Sequence, residues 1–436
     1  MANRPKGTYD ILPSEVNKWY KLEEKIRKVC NIYNYGEIKT PIFEHSETFH
    51  RDQNDTSDMV TKETYDFKDR SDRGLTLRPE GTAGVVRALV ENKLYVENPL
   101  TKVFYYGPMF RYERPQKGRM RQFNQFGVEA IGSNSPLIDA EVISLGVALI
   151  KGLGLKGVKV KINTIGDEES RNTYRDVLVE HFSKHQDELC ADCKNRLIKN
   201  PLRILDCKVD KHKEFFQTVP KISSYLNEAS KKHFDTVLKA LDSMGIEYHI
   251  DENLVRGLDY YSHTVFELEV DVEDFGAQNV IGAGGRYNGL VKQLGGPDLP
   301  AVGMAFGVER LLLAMEYSNR LNLPPRTIHC YFIALGENAR NEVPKIMNVC
   351  RMGGLVCETD YLDKGLKAQF KAADRLNSLF TCILGDTEIE NAQINIKNNV
   401  TDEQETIGIY DVYPYIIKHL NKQSPCASCK EEKKEN

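Results

Sequence analysis

The sequence predicts an α+β protein with an antiparallel-sheet core, a helical insertion and a C-terminal α/β domain. Segments that alternate polar and apolar residues indicate antiparallel strands with one polar face. A region rich in Lys, Glu and Asp at about residues 167–245 indicates short amphipathic helices. After Pro324-Pro325, apolar runs alternate with helical stretches, which predicts a small domain with a largely parallel sheet.

Length and composition are those of an ordinary globular chain. Its 436 residues suffice for two or three domains, and 41% of them are hydrophobic and 28% charged. Acidic side chains number 63 against 59 basic ones, so any nucleic-acid binding must come from local basic patches. The sequence has no apolar run of membrane-spanning length and no signal peptide, so we expect a cytoplasmic protein without a membrane anchor.

The N-terminal region predicts a helix followed by an edge strand. Apolar residues recur at helical spacing over residues 14–35, with Ser14 as the expected N-cap and Gly36 just beyond the C-terminus. Residues 37–43 are predicted to be extended. Pro41 cannot donate a ladder hydrogen bond, so this strand should lie at a sheet edge, which a second copy of the chain would cover.

Two further segments alternate as half-buried strands do. In residues 122–131, Gln125 and Glu129 share one face and the opposite face is apolar. In residues 264–271, Glu267 and Glu269 alternate with apolar side chains. Such strands indicate a sheet with one open, working face.

The basic loop, residues 111–121, carries the densest chemical signal. It holds five basic side chains and one acid between two predicted strands, and is therefore predicted to be a hairpin loop. Arginine forks bind phosphate oxygens bidentately and stay ionised. A solvated charged loop is the common alternative for such a run, but the direct connection to the polar-faced strand favours a phosphate site.

Glycine-rich stretches and one mixed peptide add weaker signals. Residues 282–287 and 303–310 allow close approach of backbone to a ligand, although glycine in strands also marks bulges. In the second stretch, Arg310 opens a helix and can face a triphosphate. The peptide 256–261 combines Arg256, a glycine, a carboxylate and two phenols, which suits either an aromatic core with an ion pair or a site where Arg256 offsets phosphate charge.

Several common enzyme classes are not supported. The sequence has no P-loop and no nucleophile elbow. One GxGxxG occurs at Gly152, Gly154 and Gly157, but it follows a predicted helix and precedes a strand, the reverse of a dinucleotide-binding fingerprint. We therefore predict a helix-to-strand turn there.

The cysteines leave a metal site open but not favoured. Cys190 and Cys193 have the C-x2-C spacing of zinc sites, with Cys207 further on, and Cys426 and Cys429 form a second pair near the C-terminus. The first group lacks an evident fourth ligand, and the two pairs fall in different predicted domains. The sequence therefore favours reduced thiols and no zinc.

The order of these motifs resembles class II aminoacyl-tRNA synthetases, and among them the histidyl-tRNA synthetase family. The basic loop with residues 122–129 resembles motif 2, residues 303–310 resemble motif 3, and the first helix with the Pro41 segment resembles motif 1. Residues 256–261 and 282–287 are similar to the two signature peptides of that family, and residues 77–82 to its amino-acid-binding peptide. The similarity covers nearly the whole chain.

The resemblance implies a domain organisation and a reaction. It implies a catalytic domain over residues 1–325 with a helical insertion at about 167–245, an α/β anticodon-binding domain over 326–420, and a disordered polar tail over 421–436. It implies a homodimer. In the implied reaction, histidine attacks the α-phosphate of ATP, with Mg²⁺ on the phosphates. The histidyl group of the adenylate then passes to the 3′ end of tRNA(His).

The resemblance also assigns roles to individual residues, with Glu80 and Thr82 at the α-amino group of histidine and Glu129 and Tyr261 at its imidazole. The implied histidine-binding residues are Glu80, Gly81, Thr82, Gln125, Glu129, Arg256, Tyr260 and Tyr261. The implied ATP-binding residues are Arg111, Arg119, Arg121 and Arg310. Arg111 and Arg256 are the implied catalytic residues, and Gln116 is implied to meet the acceptor end of tRNA.

Three alternative functions compete with this interpretation. Non-catalytic relatives serve as the regulatory subunit of ATP phosphoribosyltransferase, but they usually lose the catalytic arginines and the C-terminal domain, whereas Arg111, Arg256 and Arg310 are all present here. A synthetase for another amino acid is disfavoured by Glu129 and the two signature peptides. The third alternative is a tRNA-binding module without catalysis.

Overall fold

In a computed structural model of the protein, the described residues are 2–51, 62–116, 118–256, 260–272, 275 and 279–423. The chain divides into two compact units, Met1–Asn322 and Leu323–Asn436. In the described residues the helices are α1 (Val16–Ile32), α2 (Thr82–Glu91), α3 (Leu94–Glu97), α4 (Pro136–Gly152), α5 (Glu168–Ser183), α6 (Ala191–Lys199), α7 (Glu228–Ser243), α8 (Leu290–Gln293), α9 (Val308–Tyr317), α10 (Glu337–Met352), α11 (Leu366–Arg375), α12 (Asp386–Glu390) and α13 (Val412–Gln423).

The strands form three sheets in the described part of the chain. They are β1 (Gly36–Glu37), β2 (Phe43–His45), β3 (Tyr65–Lys68), β4 (Gly74–Leu77), β5 (Thr101–Phe110), β6 (Gln122–Ile131), β7 (Lys159–Thr164), β8 (Tyr248–Ile250), β9 (Ser262–Glu269), β10 (Val280–Arg286), β11 (Ala301–Gly307), β12 (Ile328–Leu335), β13 (Cys357–Thr359), β14 (Ser378–Gly385), β15 (Gln393–Asn398) and β16 (Gln404–Gly408).

The N-terminal unit is built on a sheet with the strand order β1-β5-β6-β11-β10-β9-β7-β8. Its neighbours are antiparallel except at the two ends, where β1 runs parallel to β5 and β7 parallel to β8. The predicted antiparallel core is therefore confirmed. Strands β5 and β6 pair without a break up to Phe110↔Gln122, so the basic loop is the hairpin loop that the sequence predicts.

Helices α1, α4 and α7 share the main hydrophobic core with this sheet. Helix α4 is apolar on most of its surface and largely buried, as a helix enclosed by a sheet and two other helices must be. It ends at Gly152, and Gly154 (φ 77°) and Gly157 (φ 63°) lead into β7. The GxGxxG is thus a helix-to-strand turn, as predicted.

The start and end of α1 differ from the prediction. Ser14 is not the N-cap: the cap position is held by Glu15, whose side chain makes no capping hydrogen bond. The carbonyl of Leu12 instead accepts the N–H groups of Glu15 and Val16, so the preceding turn satisfies these donors. At the other end Asn34 takes the left-handed conformation (φ 61°), and Gly36 opens β1.

The predicted single strand over residues 37–43 is wrong. Strand β1 does lie at the edge of the large sheet, but β2 pairs with β4 in a separate three-stranded sheet of order β2-β4-β3. Pro41 lies in the connection between them. The buried Arg78 guanidinium donates to the carbonyl oxygens of Thr40 and Pro41, so a side chain satisfies groups that a continuous strand would have paired.

The helical insertion has a small core of its own. Helices α5 and α6 and a series of short 3₁₀ turns bury apolar side chains together with Leu254, Val255 and Val265. The predicted insertion runs to about residue 245, but α7 packs against α4, and its Phe234 and Val237 lie in the main core.

A buried ion pair joins α4 to β10. The Arg286 guanidinium, fully buried, donates to the Asp139 carboxylate and to the Ser133 carbonyl. Asp139 also accepts from Thr264 and contacts His233 at 2.9 Å. Because every charged group in this network has partners, it can be buried at tolerable cost.

The C-terminal unit holds a five-stranded sheet of order β13-β12-β14-β15-β16 in its described residues. The first three strands are parallel, and β15 and β16 are antiparallel to their neighbours, so the predicted α/β domain is confirmed with a more mixed sheet than expected. Of the predicted disordered tail, residues 421–423 belong to α13, and residues 424–436, with Cys426 and Cys429, lie outside the described residues. Among the described helices, none is both long and apolar enough to cross a membrane.

Candidate active site

A buried carboxyl group on β6 forms the centre of the candidate site. Glu129 is 1% exposed, and its carboxyl accepts hydrogen bonds from the Thr82 hydroxyl at 2.7 Å and from the Tyr287 hydroxyl. Burial raises the pKa of the Glu129 carboxyl to about 8, while the two hydroxyl donors oppose that rise. The Glu129 carboxyl is therefore a buried acid whose pKa lies close to physiological pH, a property that clusters at functional sites.

Neighbouring glycines provide the space for this carboxyl. A Cβ atom at Gly303, on the adjacent β11, would lie 1.8 Å from Glu129 Oε2. A Cβ atom at Gly127 or Gly81 would overlap the buried Tyr105 ring at 2.3 and 2.2 Å. Gly303 is therefore required, because a larger residue there would collide with the Glu129 side chain on the neighbouring strand.

Phenol side chains cluster beside Glu129. The Tyr260 ring lies 5.0 Å from the Tyr261 ring and 5.6 Å from the Tyr287 ring. Burial raises the pKa of Tyr261 to about 12, with the Arg256 charge opposing the rise and Glu129 adding to it. All three phenols are therefore neutral and able to donate a hydrogen bond at physiological pH.

Glu80 lies at the N-terminus of α2, next to Thr82, which contacts Glu129. Its carboxylate accepts the backbone N–H of Thr82 at 2.6 Å and of Ala83 at 2.9 Å, which satisfies two free donors of the helix start. Its charge contributes to the raised pKa values of both Tyr260 and Glu129. Glu80 and Glu129 therefore make this side of the site acidic.

The other side of the site is basic. Burial lowers the pKa of Arg310, and the charges of Arg119 and Arg111 lower it further while Glu113 opposes them. Glu113 pairs with Arg119 and lies 3.9 Å from Arg111, and Arg111 stacks over the Phe123 ring at 5.3 Å. Three arginines from the basic loop and α9 thus converge beside Glu113 and Glu63, and their guanidinium forks suit the oxygens of an anion.

Arg256 connects the two sides. Its guanidinium pairs with Glu267 on β9 and hydrogen-bonds the Tyr261 hydroxyl. Glu267 in turn acts on Arg310 in the basic cluster. Among the described residues, Arg256 Nε and Gln125 Oε1 are buried without a hydrogen-bond partner, which in a native site points to a ligand that completes them. Gly257, Leu258 and Asp259 of this peptide lie outside the described residues.

The remaining predicted residues lie in or beside the basic loop. The Arg121 guanidinium stacks 3.8 Å from the Tyr112 ring and donates to the Glu113 carbonyl, so it braces the loop. Gln116 is exposed and forms an isolated antiparallel bridge with Arg119 near the loop tip. Lys117, between them, lies outside the described residues.

Two participants in the site are not evident from the sequence motifs. Tyr287 stands in the sequence only as the end of a glycine-rich stretch, yet it is a direct partner of Glu129. Glu267 is one of several alternating acids, yet it pairs with Arg256. The first contact joins residues 158 positions apart, and the second joins a peptide to the strand that follows it, 11 positions on. Neither pairing is specified by a motif in the sequence.

The arrangement suits a reaction between an amino acid and a polyphosphate. An acidic, phenol-lined pocket recognises a group with ring or amine nitrogens, because its carboxyl and hydroxyl groups accept and donate at fixed positions. The arginine cluster suits phosphate oxygens. Arg256 contacts both sides, through Tyr261 on the acidic side and through Glu267 on the basic side.

Comparison with known proteins agrees with this geometry. A family model described as "Histidyl-tRNA synthetase" matches residues 7–311, and one described as "Anticodon binding domain" matches residues 329–419. The chain belongs to the histidyl-tRNA synthetase family. Membership implies histidine, ATP and tRNA as substrates, and it confirms the fold class that the sequence predicts.

Individual members of the histidyl-tRNA synthetase family match over almost their full length. A histidine–tRNA ligase of Bacillus cytotoxicus is 51% identical over 418 residues, which cover 95% of this chain and 99% of that protein. A Geobacillus histidine–tRNA ligase is also 51% identical, covering 96% and 99%. The crystal structure of apo S. aureus histidyl-tRNA synthetase aligns with a TM-score of 0.80 at 42% identity, over 95% of this chain and all of that one.

We predict that Glu129→Gln stabilises the ligand-free protein, and more so at pH 8 than at pH 5. With a folded pKa of about 8 against an ordinary 4.5, the folded chain binds more protons than the unfolded chain between these values. Its free energy of unfolding therefore falls as pH rises through that window, by roughly 1.4 kcal/mol per pH unit, and the amide abolishes this loss.

Thermal melts at both pH values test it, with Glu316→Gln, at an exposed ion pair, as control. An equal shift at both pH values would contradict the prediction.

Proposed function

We propose that this chain ligates histidine to tRNA in two steps, through a histidyl-adenylate made from histidine and ATP. The observation that carries the proposal is the division of the site into an acidic, phenol-lined side around Glu129 and an arginine-lined side around Arg310, with Arg256 in contact with Tyr261 on the first side and with Glu267, which acts on Arg310, on the second. These sides match the two ends of an aminoacyl-adenylate.

Histidine is proposed to bind on the acidic side. The imidazole has two distinct nitrogens, and Glu129 and Tyr261 supply the partners for them. The α-amino group is placed near Glu80 and Thr82, at the backbone of Gly81, whose missing side chain leaves room for the Tyr105 ring. Tyr260 is proposed to close the pocket, since its ring packs against Tyr261 at a tilt and against Tyr287 edge-on. Gln125, whose Oε1 is buried without a partner among the described residues, completes the contacts.

ATP is proposed to bind on the basic side. Arg111 contacts the α-phosphate and Arg310 the γ-phosphate, while Arg119, held by Glu113, contacts the phosphates between them. Arg121 is proposed to contact the phosphates as well, from a position in which it also braces the loop that carries these side chains. In this arrangement the histidine carboxylate attacks the α-phosphate in line, and pyrophosphate leaves toward Arg310. Positioning and charge neutralisation therefore supply most of the catalysis.

Arg256 is proposed to stabilise the charge that develops on the α-phosphate. Its pairing with Glu267 and Tyr261 holds the guanidinium in place before substrates bind. Mg²⁺ is proposed to enter on the ATP phosphates. The nearby carboxylates of Glu113 and Glu267 are already paired with arginines, so the phosphate oxygens are the proposed ligands of the ion.

The tRNA is proposed to contact both units. Gln116, exposed near the tip of the basic loop, would meet the acceptor end. The C-terminal domain, residues 326–420, would bind the anticodon arm, in line with the family model that it matches. Residues 1–325 then form the catalytic domain. Charging takes place where translation does, so the proposal places the chain in the cytoplasm.

The regulatory alternative is not favoured. The near-full-length relatives at 51% identity are histidine–tRNA ligases. One solved structure described as an ATP phosphoribosyltransferase regulatory subunit/histidyl-tRNA synthetase, from Bacillus halodurans, aligns with a TM-score of 0.62 but at 22% identity, which supports the shared fold alone. The arginines that such a role does not need are present and clustered.

We predict histidine-dependent exchange of pyrophosphate into ATP by the purified chain. The Glu129 pocket offers partners for both imidazole nitrogens, and an amino acid without a ring nitrogen leaves these buried groups unsatisfied. Proline, threonine and glycine should therefore support no exchange above background. Comparable exchange with any of them, or none with histidine, would overturn the proposed function.

We predict that Arg256→Ala slows adenylate formation by about 10²–10³-fold while changing the affinity for histidine little. The guanidinium acts on charge that appears only in the transition state, so the loss should fall on the chemical step. Rapid-quench measurement of adenylate formation and equilibrium binding of histidine separate the two effects. Arg73→Ala, at an exposed ion pair, is the control. A variant that forms adenylate at the wild-type rate would remove Arg256 from the mechanism.

We also propose a homodimer, which is supported by two features of the N-terminal unit. Strand β1 lies at the edge of the large sheet. On the small sheet, the exposed rings of Phe43 and Phe67 lie 6.4 Å apart, an apolar patch of the kind found at interfaces. Sedimentation velocity should show a dimer that Phe43→Glu/Phe67→Glu weakens. An active wild-type monomer at assay concentrations would disprove it.

A further inference from the structure

Three thiols and a carboxylate converge inside the helical insertion. Sγ of Cys190, Cys193 and Cys207 and a carboxylate oxygen of Asp210 all lie within 4.8 Å of one another. Cys193, Cys207 and Asp210 are buried, and Cys190 is partly exposed. We propose that these four side chains form a structural zinc site.

The separations fit a tetrahedral site with little rearrangement. Cys190 Sγ and Cys207 Sγ lie 3.8 Å apart, whereas a disulfide requires about 2.05 Å. Two thiolates bound to zinc at about 2.3 Å in tetrahedral geometry lie about 3.8 Å apart. The widest pair in the cluster has to close by only about 1 Å to reach the same geometry.

The backbone around the cluster is arranged as in metal-binding turns. Cys190 is the N-cap of α6, so Cys193 falls in the first turn of that helix. Cys207 and Asp210 repeat the same spacing of three residues, and the N–H group of Asp210 donates to Cys207 Sγ at 3.3 Å. Such N–H···S bonds orient a thiolate and offset its charge in metal sites.

The identity of the fourth ligand is the new element. The sequence suggests no partner for the three cysteines because Asp210 does not extend a cysteine pattern, but in the fold its carboxylate is fully buried beside them. It accepts the Cys190 N–H at 3.0 Å and contacts Lys213 Nζ at 2.7 Å, which leaves lone pairs for a metal. Lys213 also offsets the negative charge of a site with three thiolates and a carboxylate.

Zinc is the ion that this ligand set favours. Soft thiolates select zinc over magnesium or calcium, and a closed tetrahedral set of four protein ligands is typical of structural rather than catalytic sites. The segment it would join is built from one short helix and several 3₁₀ turns, so cross-linking by metal would add stability where regular hydrogen bonding is sparse. The same small core holds Leu254 and Val255, which directly precede Arg256.

The first experiment measures metal bound to the full chain. After purification without chelator, elemental analysis should find about one zinc per chain. The tail pair Cys426 and Cys429 is a second possible binder, so the double variant Cys426→Ser/Cys429→Ser is measured beside the wild type and should retain the zinc. Cys207→Ala should lose it, and Cys30→Ala, which removes a buried thiol of the main core, should keep it. Zinc that follows the tail cysteines or survives Cys207→Ala would overturn the proposal.

The second experiment remains informative even if Cys207→Ala does not fold. Cobalt titrated into the metal-free tail variant should give the intense visible absorption of a tetrahedral thiolate site. Asp210→Asn, which keeps the shape of the side chain, should weaken cobalt binding by at least about tenfold, and Asp210→Cys should preserve it. Absence of this spectrum in the folded chain, cobalt affinity unchanged in Asp210→Asn, or a Cys190–Cys207 disulfide in the freshly purified protein would each refute the site.

Discussion

The burial of one carboxyl group, that of Glu129, constrains much of the N-terminal unit. Placing it within the sheet requires a glycine at position 303 on the next strand and donors that arrive from elsewhere in the chain. Those donors, Thr82 and Tyr287, belong to peptides far apart in sequence. An acid buried there without hydrogen-bond partners would be costly. The peptides that carry Thr82, Glu129 and Tyr287 therefore have to pack together for the site to form.

The groups around Glu129 also divide the candidate site electrostatically. The acidic and phenolic groups keep to one side, and the arginines of the basic loop and α9 to the other. Arg256 touches both through Glu267 and Tyr261. Each side carries groups that suit one part of the proposed substrates, the carboxyl and phenol groups an amino acid and the arginines the phosphate oxygens.

Local patterns predicted the parts of this fold that depend on local physics. The hairpin around the basic loop, the paired strands and the helix-to-strand turn follow from periodicity and from glycine geometry. The errors share a different cause. The Pro41 segment splits because Arg78 replaces a sheet partner, and Tyr287 and Asp210 gain their roles only through contacts across the fold. The specific site chemistry of Glu129 came from family resemblance, since alternation alone indicated only its face.

The Arg286–Asp139 pair shows that one short peptide contains both a structural residue and a residue of the candidate site. Residues 282–287 have the pattern of a functional signature, yet Arg286 is buried in the interior and ties a strand to a helix, while Tyr287 next to it serves the pocket. A descendant that abandoned aminoacylation would still need the arginine to remain folded. When related sequences are surveyed, an intact copy of that peptide therefore indicates a preserved scaffold, whereas Arg256 and Glu129 are the positions at which the proposed catalysis is to be judged.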